Sequence, residues 1–404
     1  MAANPLPHPA LEKPNTLAER LVDNFYSLGT RDIPEEVLAR AALCLKDTVG
    51  VALAARTLGV GMAATQVALE AGGPAHATVW GSGRAASAED AALANGMLAH
   101  ALDFDDTHAA AIMHASAVIV PAALALGEAL KAPGREILAA LVVGYQFAAR
   151  LGRLAPGPFQ DNGFQATSVL GVFAATAVAA RLLKLTPDEA VNALGTAGSM
   201  ASGLMAYLSD GSDVKQMHPG WAAMSGIRAA RLARAGFRGP SAVFEYKFGV
   251  FKSFARVDIS EQWRNASGPS WEVELMAPKP YPACLCAHAG VQAILALRAA
   301  GKISPERADD IANIHCDVPQ WYGPLIFEPA AAKAAPTRNC TCWSKALPAI
   351  SNNSATKWRS PSTTTSLSCK GRKRVAAPRS CCQAANSWNG SSLSAKAPGA
   401  PTGL

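Results

Sequence analysis

Four alanine-rich apolar segments constrain the fold of this chain more than any other feature of its sequence. They cover residues 85–101, 118–130, 136–151 and 169–183, and each places small apolar residues at helical spacing. Ala and Leu favour the helix, and aromatic residues make up only 6% of the 404 residues, too few to fill a β-sandwich core. The sequence therefore predicts a mainly α fold of closely packed helices.

Local start signals delimit some of these helices. Thr16-Leu-Ala-Glu19 and Thr186-Pro-Asp-Glu189 both have the form of a capping box, in which the Thr hydroxyl and the Glu carboxylate each accept a free backbone N–H. The texture changes after Gly268, where a Pro-rich loop and further helices precede a strand predicted at 311–318. Because helices alternate with a strand in this region, we predict a smaller α/β domain there.

We accordingly predict three regions. Residues 1–265 form a large all-helical domain, residues 266–330 begin the α/β domain, and residues 331–404 form an aberrant tail. The α/β domain is incomplete, because the tail begins before such a domain is fully built. No internal repeat interrupts this order.

The tail differs from the body in charge and in composition. It holds eleven Lys or Arg and no Asp or Glu, so the tail makes the whole chain basic. Residues 1–329 carry 26 basic against 30 acidic side chains, a net of −4, and the tail brings the chain to +7. One interpretation is a natural basic disordered tail. The other is a shift of reading frame in the gene, which we favour because the tail carries five of the nine cysteines together with Trp343, Trp358 and Trp388.

Several partners and locations are not expected from the sequence. The most apolar runs, at 115–130 and 169–183, fall short of the roughly 20 clean residues of a membrane span, and the N-terminus has no apolar signal core. We therefore predict a cytoplasmic protein with no membrane partner. The basic run at 370–374 could bind phosphates without specificity, but no predicted fold supports it, and we predict no nucleic-acid partner.

The densest polar cluster runs from His100 to His108 as His-Ala-Leu-Asp-Phe-Asp-Asp-Thr-His, and His114 and Ser116 follow it. Burying so many ionisable groups among Ala, Leu and Ile would cost several kcal/mol for each unpaired charge. We therefore predict that the cluster lines a cleft. The alternative is a solvated helix end in which Asp105 or Asp106 caps the next segment.

Cofactors have little support in the sequence. Asp and His together can bind a metal, but no second ligand set with metal spacing is found, so we predict no metal. Gly-rich nucleotide loops and the Gly-x-Ser-x-Gly motif are also missing from the sequence. We predict that the protein uses no cofactor.

Two further segments carry side chains suited to chemistry. Lys215 and His218 lie three residues apart, on one face of a turn or helix start, where a cation can meet a carboxylate and an imidazole can exchange protons. Residues 279–288, Lys-Pro-Tyr-Pro-Ala-Cys-Leu-Cys-Ala-His, form a Pro-braced loop before a helix. The three segments hold five of the eight histidines, which indicates a single site.

These segments, with Gly-Phe-Gln-Ala-Thr at 163–167 between the first two, resemble the MmgE/PrpD family over residues 17–326. The family includes 2-methylcitrate dehydratase, cis-aconitate decarboxylase and iminodisuccinate epimerase. The resemblance implies a large all-helical domain, a smaller α/β lid domain, an active site between them and a homodimer. It also implies a small polycarboxylate substrate and a lid that is incomplete in this chain.

The resemblance also implies roles for individual residues. His114 would be the base, Lys215 and Lys279 would hold the substrate and stabilise negative charge, and Asp103 would orient an imidazole or a lysine. The candidate catalytic residues are Asp103, Thr107, His114, Lys215, His218 and Lys279. The candidate substrate-binding residues are His108, Gln165 and Tyr281.

Two departures from the family pattern bear on the reaction. Gln165 stands where the family usually has His, and His114-Ala-Ser replaces the usual His-Pro-Ser. We predict a lyase of the 2-methylcitrate dehydratase type, with an epimerase or the inactive product of a frameshifted gene as alternatives. Asp103-Phe-Asp-Asp-Thr also matches a motif of helical terpene cyclases, but the aromatic walls that such sites need are not found near it.

Overall fold

The computed structural model describes residues 16–26, 28–260 and 270–304, and the backbone of two short strands further along the chain. The tail predicted at 331–404 lies outside the described residues except for Ser394–Lys396. The strand predicted at 311–318 is described only over Asn313–His315, whose backbone pairs antiparallel with Ser394–Lys396. The three-region division therefore stays a prediction.

Helices dominate the described residues, as the alanine-rich segments predicted. The helices are α1 Leu17–Leu21, α2 Glu35–Thr57, α3 Met62–Glu70, α4 Ala88–His100, α5 Ser116–Leu130, α6 Gly134–Leu154, α7 Pro158–Asp161, α8 Ala166–Leu182, α9 Pro187–Gly198, α10 Val214–Arg234 and α11 His288–Ala299. The strands are β1 Ala77–Val79, β2 Arg84–Ala86, β3 Thr107–His108, β4 Met276–Ala277, β5 Asn313–His315 and β6 Ser394–Lys396. The mainly α fold class is confirmed.

Both predicted capping boxes are present. The Thr16 hydroxyl accepts the Glu19 N–H at 3.3 Å, and the Glu19 carboxylate accepts the Thr16 N–H at 2.8 Å. Thr186 and Glu189 repeat the arrangement at the start of α9. Each box satisfies two backbone donors that a helix start leaves free, which explains why these helices begin there.

The core is a set of buried helices in which α8 packs against α5, α6 and α10, and α4 packs against α5 and α10. Gly96 of α4 and Gly220 of α10 meet at the crossing: a Cβ on Gly96 would lie 2.6 Å from Gly220 Cα. A Cβ on Gly220 would lie 2.2 Å from the Leu93 carbonyl oxygen. The two backbones therefore touch, which holds the first turns of α10 beside the end of α4.

Residues 270–279 lie against this helical body. β4 pairs antiparallel with β3, with Thr107 opposite Ala277 and His108 opposite Met276. Arg150 Nη2 donates to the Ser270 carbonyl at 3.1 Å, which anchors the start of the segment. This pairing carries Lys279, two residues beyond β4, to the α4–α5 connection.

One helix of the described residues, α6, is long and apolar enough to cross a membrane by length and composition alone. In this structure 78% of its apolar window is buried against the rest of the fold. The core helices of globular proteins pass the same test, so the feature is weak evidence for a membrane span. The two apolar runs singled out in the sequence form the shorter helices α5 and α8.

Candidate active site

The first polar cluster forms the connection between α4 and α5. α4 ends at His100, and the chain turns at Asp103, whose φ of 51° is in the left-handed region that Asp tolerates better than most residues. Asp105 and Asp106 are 0% and 1% exposed. The alternative of a solvated helix end is therefore wrong, although Asp106 does contact Ser116 at the start of α5.

Asp103 joins the three predicted segments through two lysines. Its Oδ2 lies 3.0 Å from Lys215 Nζ, and its Oδ1 lies 2.8 Å from Lys279 Nζ. Lys279 Nζ also donates to the Asp103 carbonyl at 2.9 Å. Burial alone would raise the pKa of Asp103, but Lys215 and Lys279 overcome it and hold that pKa well below its usual value.

The same ion pair keeps Lys279 charged. Burial opposes its charge, but Asp103 and Asp105 raise the pKa of Lys279 above its usual value. The Lys279 side chain is 0% exposed, whereas that of Lys215 is 21% exposed. Lys215 is therefore the cation of the pair that a solute can reach.

His114 lies beside this charged group. Its Nδ1 is 3.0 Å from the Asp106 carbonyl oxygen, 3.3 Å from Thr107 Oγ1 and 3.6 Å from Asp105 Oδ2. Because a carbonyl oxygen only accepts, Nδ1 carries the hydrogen and Nε2 keeps a lone pair. Burial, followed by the charge of Lys279, lowers the pKa of His114 to about 4, so the ring is neutral and basic at Nε2 near pH 7.

A line of hydrogen bonds extends from Asp105, which lies beside His114, to α10. Asp105 Oδ2 lies 2.8 Å from His100 Nδ1, and His100 Nε2 lies 3.5 Å from the amide nitrogen of Gln165. The amide oxygen of Gln165 bonds to His218 Nδ1. Burial is the largest cause that lowers the pKa of His218 to about 4, and the charge of Lys215 adds to it.

His100 and Asp105 are site residues that the sequence-based selection missed. Both lie within the motif that drew attention to the cluster, but no local pattern ranks them above their neighbours. Their five-residue separation at a helix end permits a side-chain contact, and this spacing was the available signal. Burial of the Asp105 carboxylate opposes its charge, yet His100 and His114 lower the pKa of Asp105 to about 2.

A different set of neighbours surrounds Asp106. Ser116 Oγ lies 2.6 Å from both Asp106 Oδ2 and the Tyr145 hydroxyl. Burial, and the charges of Asp105 and Asp47, raise the pKa of Asp106 to about 7, although the Ser116 hydrogen bond lowers it. Asp106 thus keeps its proton to a higher pH than an ordinary carboxyl group does.

His100, Asp105 and His114 each place a possible metal ligand within 4.8 Å of the others. Imidazole and carboxylate are ligand types that Zn²⁺ favours. However, Asp105 Oδ2 already accepts from His100, and the ammonium group of Lys279 acts on both Asp105 and His114. We interpret the cluster as a hydrogen-bonded dyad beside a base, and the positive charge of Lys279 disfavours a metal cation there.

Two predicted substrate-binding residues lie in other contacts. His108 Nε2 bonds to Glu272 Oε2 at 3.1 Å, and His108 Nδ1 accepts the Ala111 N–H at 3.2 Å, so both ring nitrogens are engaged. The Tyr281 ring packs edge-on against His288 with centroids 5.4 Å apart. Contacts join the other seven candidates in two groups, and the charge of Lys279 acts on His114 and so links the groups into one electrostatic network: Asp103, Lys215 and Lys279; Thr107, His114, Gln165 and His218.

A helical body with buried imidazoles and carboxylates beside two lysines defines a class of protein suited to proton transfer on an anionic substrate. Residues 19–262 match the MmgE/PrpD N-terminal domain. The chain belongs to the MmgE/PrpD family, as its motifs predicted.

Curated relatives carry the name of a lyase. A cis-aconitate decarboxylase of Aspergillus terreus is 29% identical over 281 residues, covering 66% of this chain and 57% of that protein. The human cis-aconitate decarboxylase is 30% identical over 281 residues, covering 68% and 58%. The cis-aconitate decarboxylase-like protein oryM of Aspergillus oryzae is 33% identical over 232 residues, covering 55% and 48%. The chain thus spans about half the length of the curated relatives it matches.

Proposed function

We propose that this protein is a lyase that acts on a small tricarboxylate by proton transfer at a carbon next to a carboxylate. The observation that carries the proposal is the meeting of Lys215 and Lys279 on Asp103, beside the neutral ring of His114. Cations and a base in one pocket are what removal or delivery of such a proton requires. The family and the names of the relatives support the same class.

The partly exposed side chains indicate how a substrate would enter. Lys215 and His114 are 21% and 17% exposed, while Lys279 is fully covered. A substrate carboxylate would bind the ammonium group of Lys215, which in the free protein pairs with Asp103. Lys279 would keep Asp103 in position through its own ion pair. Negative charge that develops on the substrate then lies near two ammonium groups in a site of low dielectric.

His114 is the proton-transfer group in this proposal. Its Nδ1–H is held by the Asp106 carbonyl, so Nε2 accepts or returns the proton. A pKa of about 4 makes the free ring a weak base. Substrate carboxylates would raise the pKa of His114, because a nearby negative charge favours the imidazolium form.

The relatives favour cis-aconitate as the first substrate to test, with loss of CO2 as the reaction. Dehydration of 2-methylcitrate, predicted from the motifs, shares the proton-transfer step and stays a prediction. Epimerisation of iminodisuccinate needs two acid–base groups, and the neutral rings of His114 and His218 are the observation that favours it. The homodimer, the cytoplasmic location and the roles of individual residues are part of the proposal.

The test is an assay of the full chain with all three acids, following CO2 release, dehydration and loss of optical activity. The gene is resequenced across the codons for residues 329–342, and a version with any corrected frame is assayed in parallel. Each version has a Lys215→Ala control. CO2 release or dehydration that this control removes supports the proposal, and epimerisation alone supports the second candidate. Neither turnover nor thermal stabilisation by any acid in either version would contradict both.

A further inference from the structure

Gln165 lies at the start of α8 with its backbone fixed on both sides. Its N–H donates to the Gly203 carbonyl at 2.9 Å, and its own carbonyl accepts the N–H groups of Ser168 and Val169 at 3.0 and 3.1 Å. Its side chain is buried between two histidine rings. The backbone of Gln165 therefore holds its side-chain amide in place between the two rings.

The two ends of this amide are chemically different. Its nitrogen faces His100 Nε2 at 3.5 Å and can only donate, and its oxygen bonds to His218 Nδ1 and can only accept. His100 Nε2 must therefore accept, and His218 Nδ1 must carry a hydrogen. The second nitrogen of His218, Nε2, is left with the lone pair.

The far side of His100 agrees with this assignment. Its Nδ1 lies 2.8 Å from Asp105 Oδ2, and an ionised carboxylate only accepts, so His100 carries its hydrogen on Nδ1. The ring is then neutral, with one donor and one acceptor. Asp105, His100, Gln165 and His218 form a chain in which every hydrogen bond has a consistent direction.

We propose that Gln165 is a positioning residue: its amide fixes the tautomers of His100 and His218, makes Nε2 the basic atom of His218, and interrupts proton passage between the two rings. An amide neither gives up nor takes up a proton near neutral pH, whereas an imidazole in its place could do both. His114 and His218 are consequently separate proton acceptors. This inference deepens the proposed function and depends on it only for the catalytic readout.

The competing arrangement has the amide turned around. The amide oxygen would then face His100 Nε2, and His100 would have to carry hydrogens on both nitrogens as an imidazolium. That cation would lie beside His114, with ring centroids 4.9 Å apart, and near two lysines. The two arrangements predict different protonation of His100 and of His218.

Nitrogen NMR of the full chain labelled with ¹⁵N-histidine distinguishes them, with signals assigned from His100→Asn and His218→Asn variants. Near neutral pH we expect both rings to carry hydrogen on Nδ1 alone. Gln165→Glu, whose two oxygens both accept, should convert His100 to an imidazolium. Gln165→His, which keeps one donor and one acceptor, should leave His100 neutral and serves as the matched control.

A His218 ring protonated at Nε2 in the unaltered chain, or a His100 signal unchanged in Gln165→Glu, would overturn the proposal. If Gln165→Glu does not fold, Gln165→Met tests the same point, since His218 should lose its fixed Nδ1 hydrogen. On an acid that the chain turns over, Gln165→Glu should lower kcat about tenfold or more and shift the pH profile. Because the spectra need no substrate, a chain that neither turns over nor is stabilised by any of the acids refutes the proposed function and leaves this inference testable.

Discussion

Asp105 and Asp106 are neighbours in the chain, and both carboxyl groups are buried, yet their acidities differ widely. The pKa of Asp105 is about 2 and that of Asp106 is about 7. Burial raises the pKa of both, but Asp105 faces His100 and His114, whereas Asp106 faces Ser116 and the charges of other carboxylates. Because burial acts on both carboxyl groups, the groups around each acid account for the difference between their pKa values.

The α4–α5 connection therefore has a charged side and a neutral side. The charged side consists of Asp103, Asp105, Lys215 and Lys279, and it can bind an anion. The neutral side consists of Asp106, Ser116, Tyr145 and Cys44, and burial raises the pKa of Cys44 to about 12 and that of Tyr145 well above its usual value. The Asp106 carbonyl links the sides by holding His114.

The largest effect is expected from Asp103→Asn, which removes the charge that holds the charged side together. Asn tolerates the left-handed backbone at this position, so the loss reports on charge. Lys279 would be left buried without its ion pair, which should cost about 3–5 kcal/mol in the free energy of unfolding and abolish turnover. Urea unfolding checks it, and a loss below about 1 kcal/mol would contradict a strong role for the pair.

On the charged side, Lys215→Ala should reduce turnover without reducing the stability of the fold. Because its ammonium group is partly exposed, its removal should leave the melting temperature nearly unchanged. Turnover of the substrate found for the chain should fall by about 10²–10³, the usual effect of losing one charge-stabilising donor. A variant with full activity would remove Lys215 from the site.

Asp106→Asn tests the neutral side. The folded pKa of about 7 lies above the usual carboxyl value of 3.8, so the folded state holds this proton more tightly. The resulting stability is fully present below the unfolded pKa and is lost as pH rises through about 7. The variant should lack this loss, on the order of 4 kcal/mol for a rise in pKa of about 3, when unfolding is measured from about pH 4 to pH 8. Parallel pH profiles for the two proteins would count against a raised pKa.

The smallest effect is expected from Glu35→Gln, which breaks an ion pair outside the site. Glu35 Oε2 lies 2.8 Å from Arg135 Nη1, with the side chains 76% and 51% exposed. Water screens such a pair, so the free energy of unfolding should change by about 0–1 kcal/mol. If Glu35→Gln changed the free energy of unfolding as much as Asp103→Asn does, burial would not explain the difference between buried and exposed ion pairs.

Much of the fold was predictable, because helix formation depends on residues close together in the sequence. The alanine-rich periodicity predicted the four helices α4, α5, α6 and α8, and the Thr16 and Thr186 boxes predicted the starts of α1 and α9. The candidate site was predictable in part, since seven of the nine selected side chains lie in one network. His108 and Tyr281 were selected from their position in the motifs, which does not reveal the partners that engage them.

The sequence by itself determined which residue types are available and which segments carry them. Only the tertiary structure decided that Lys279 meets Asp103 across 176 residues, that Asp105 and Asp106 differ in ionisation, and that Gln165 lies between two imidazoles. The physical reason is that charge and hydrogen-bond direction depend on distances of a few ångströms in a low dielectric. Those distances are set by helices that are far apart in the chain.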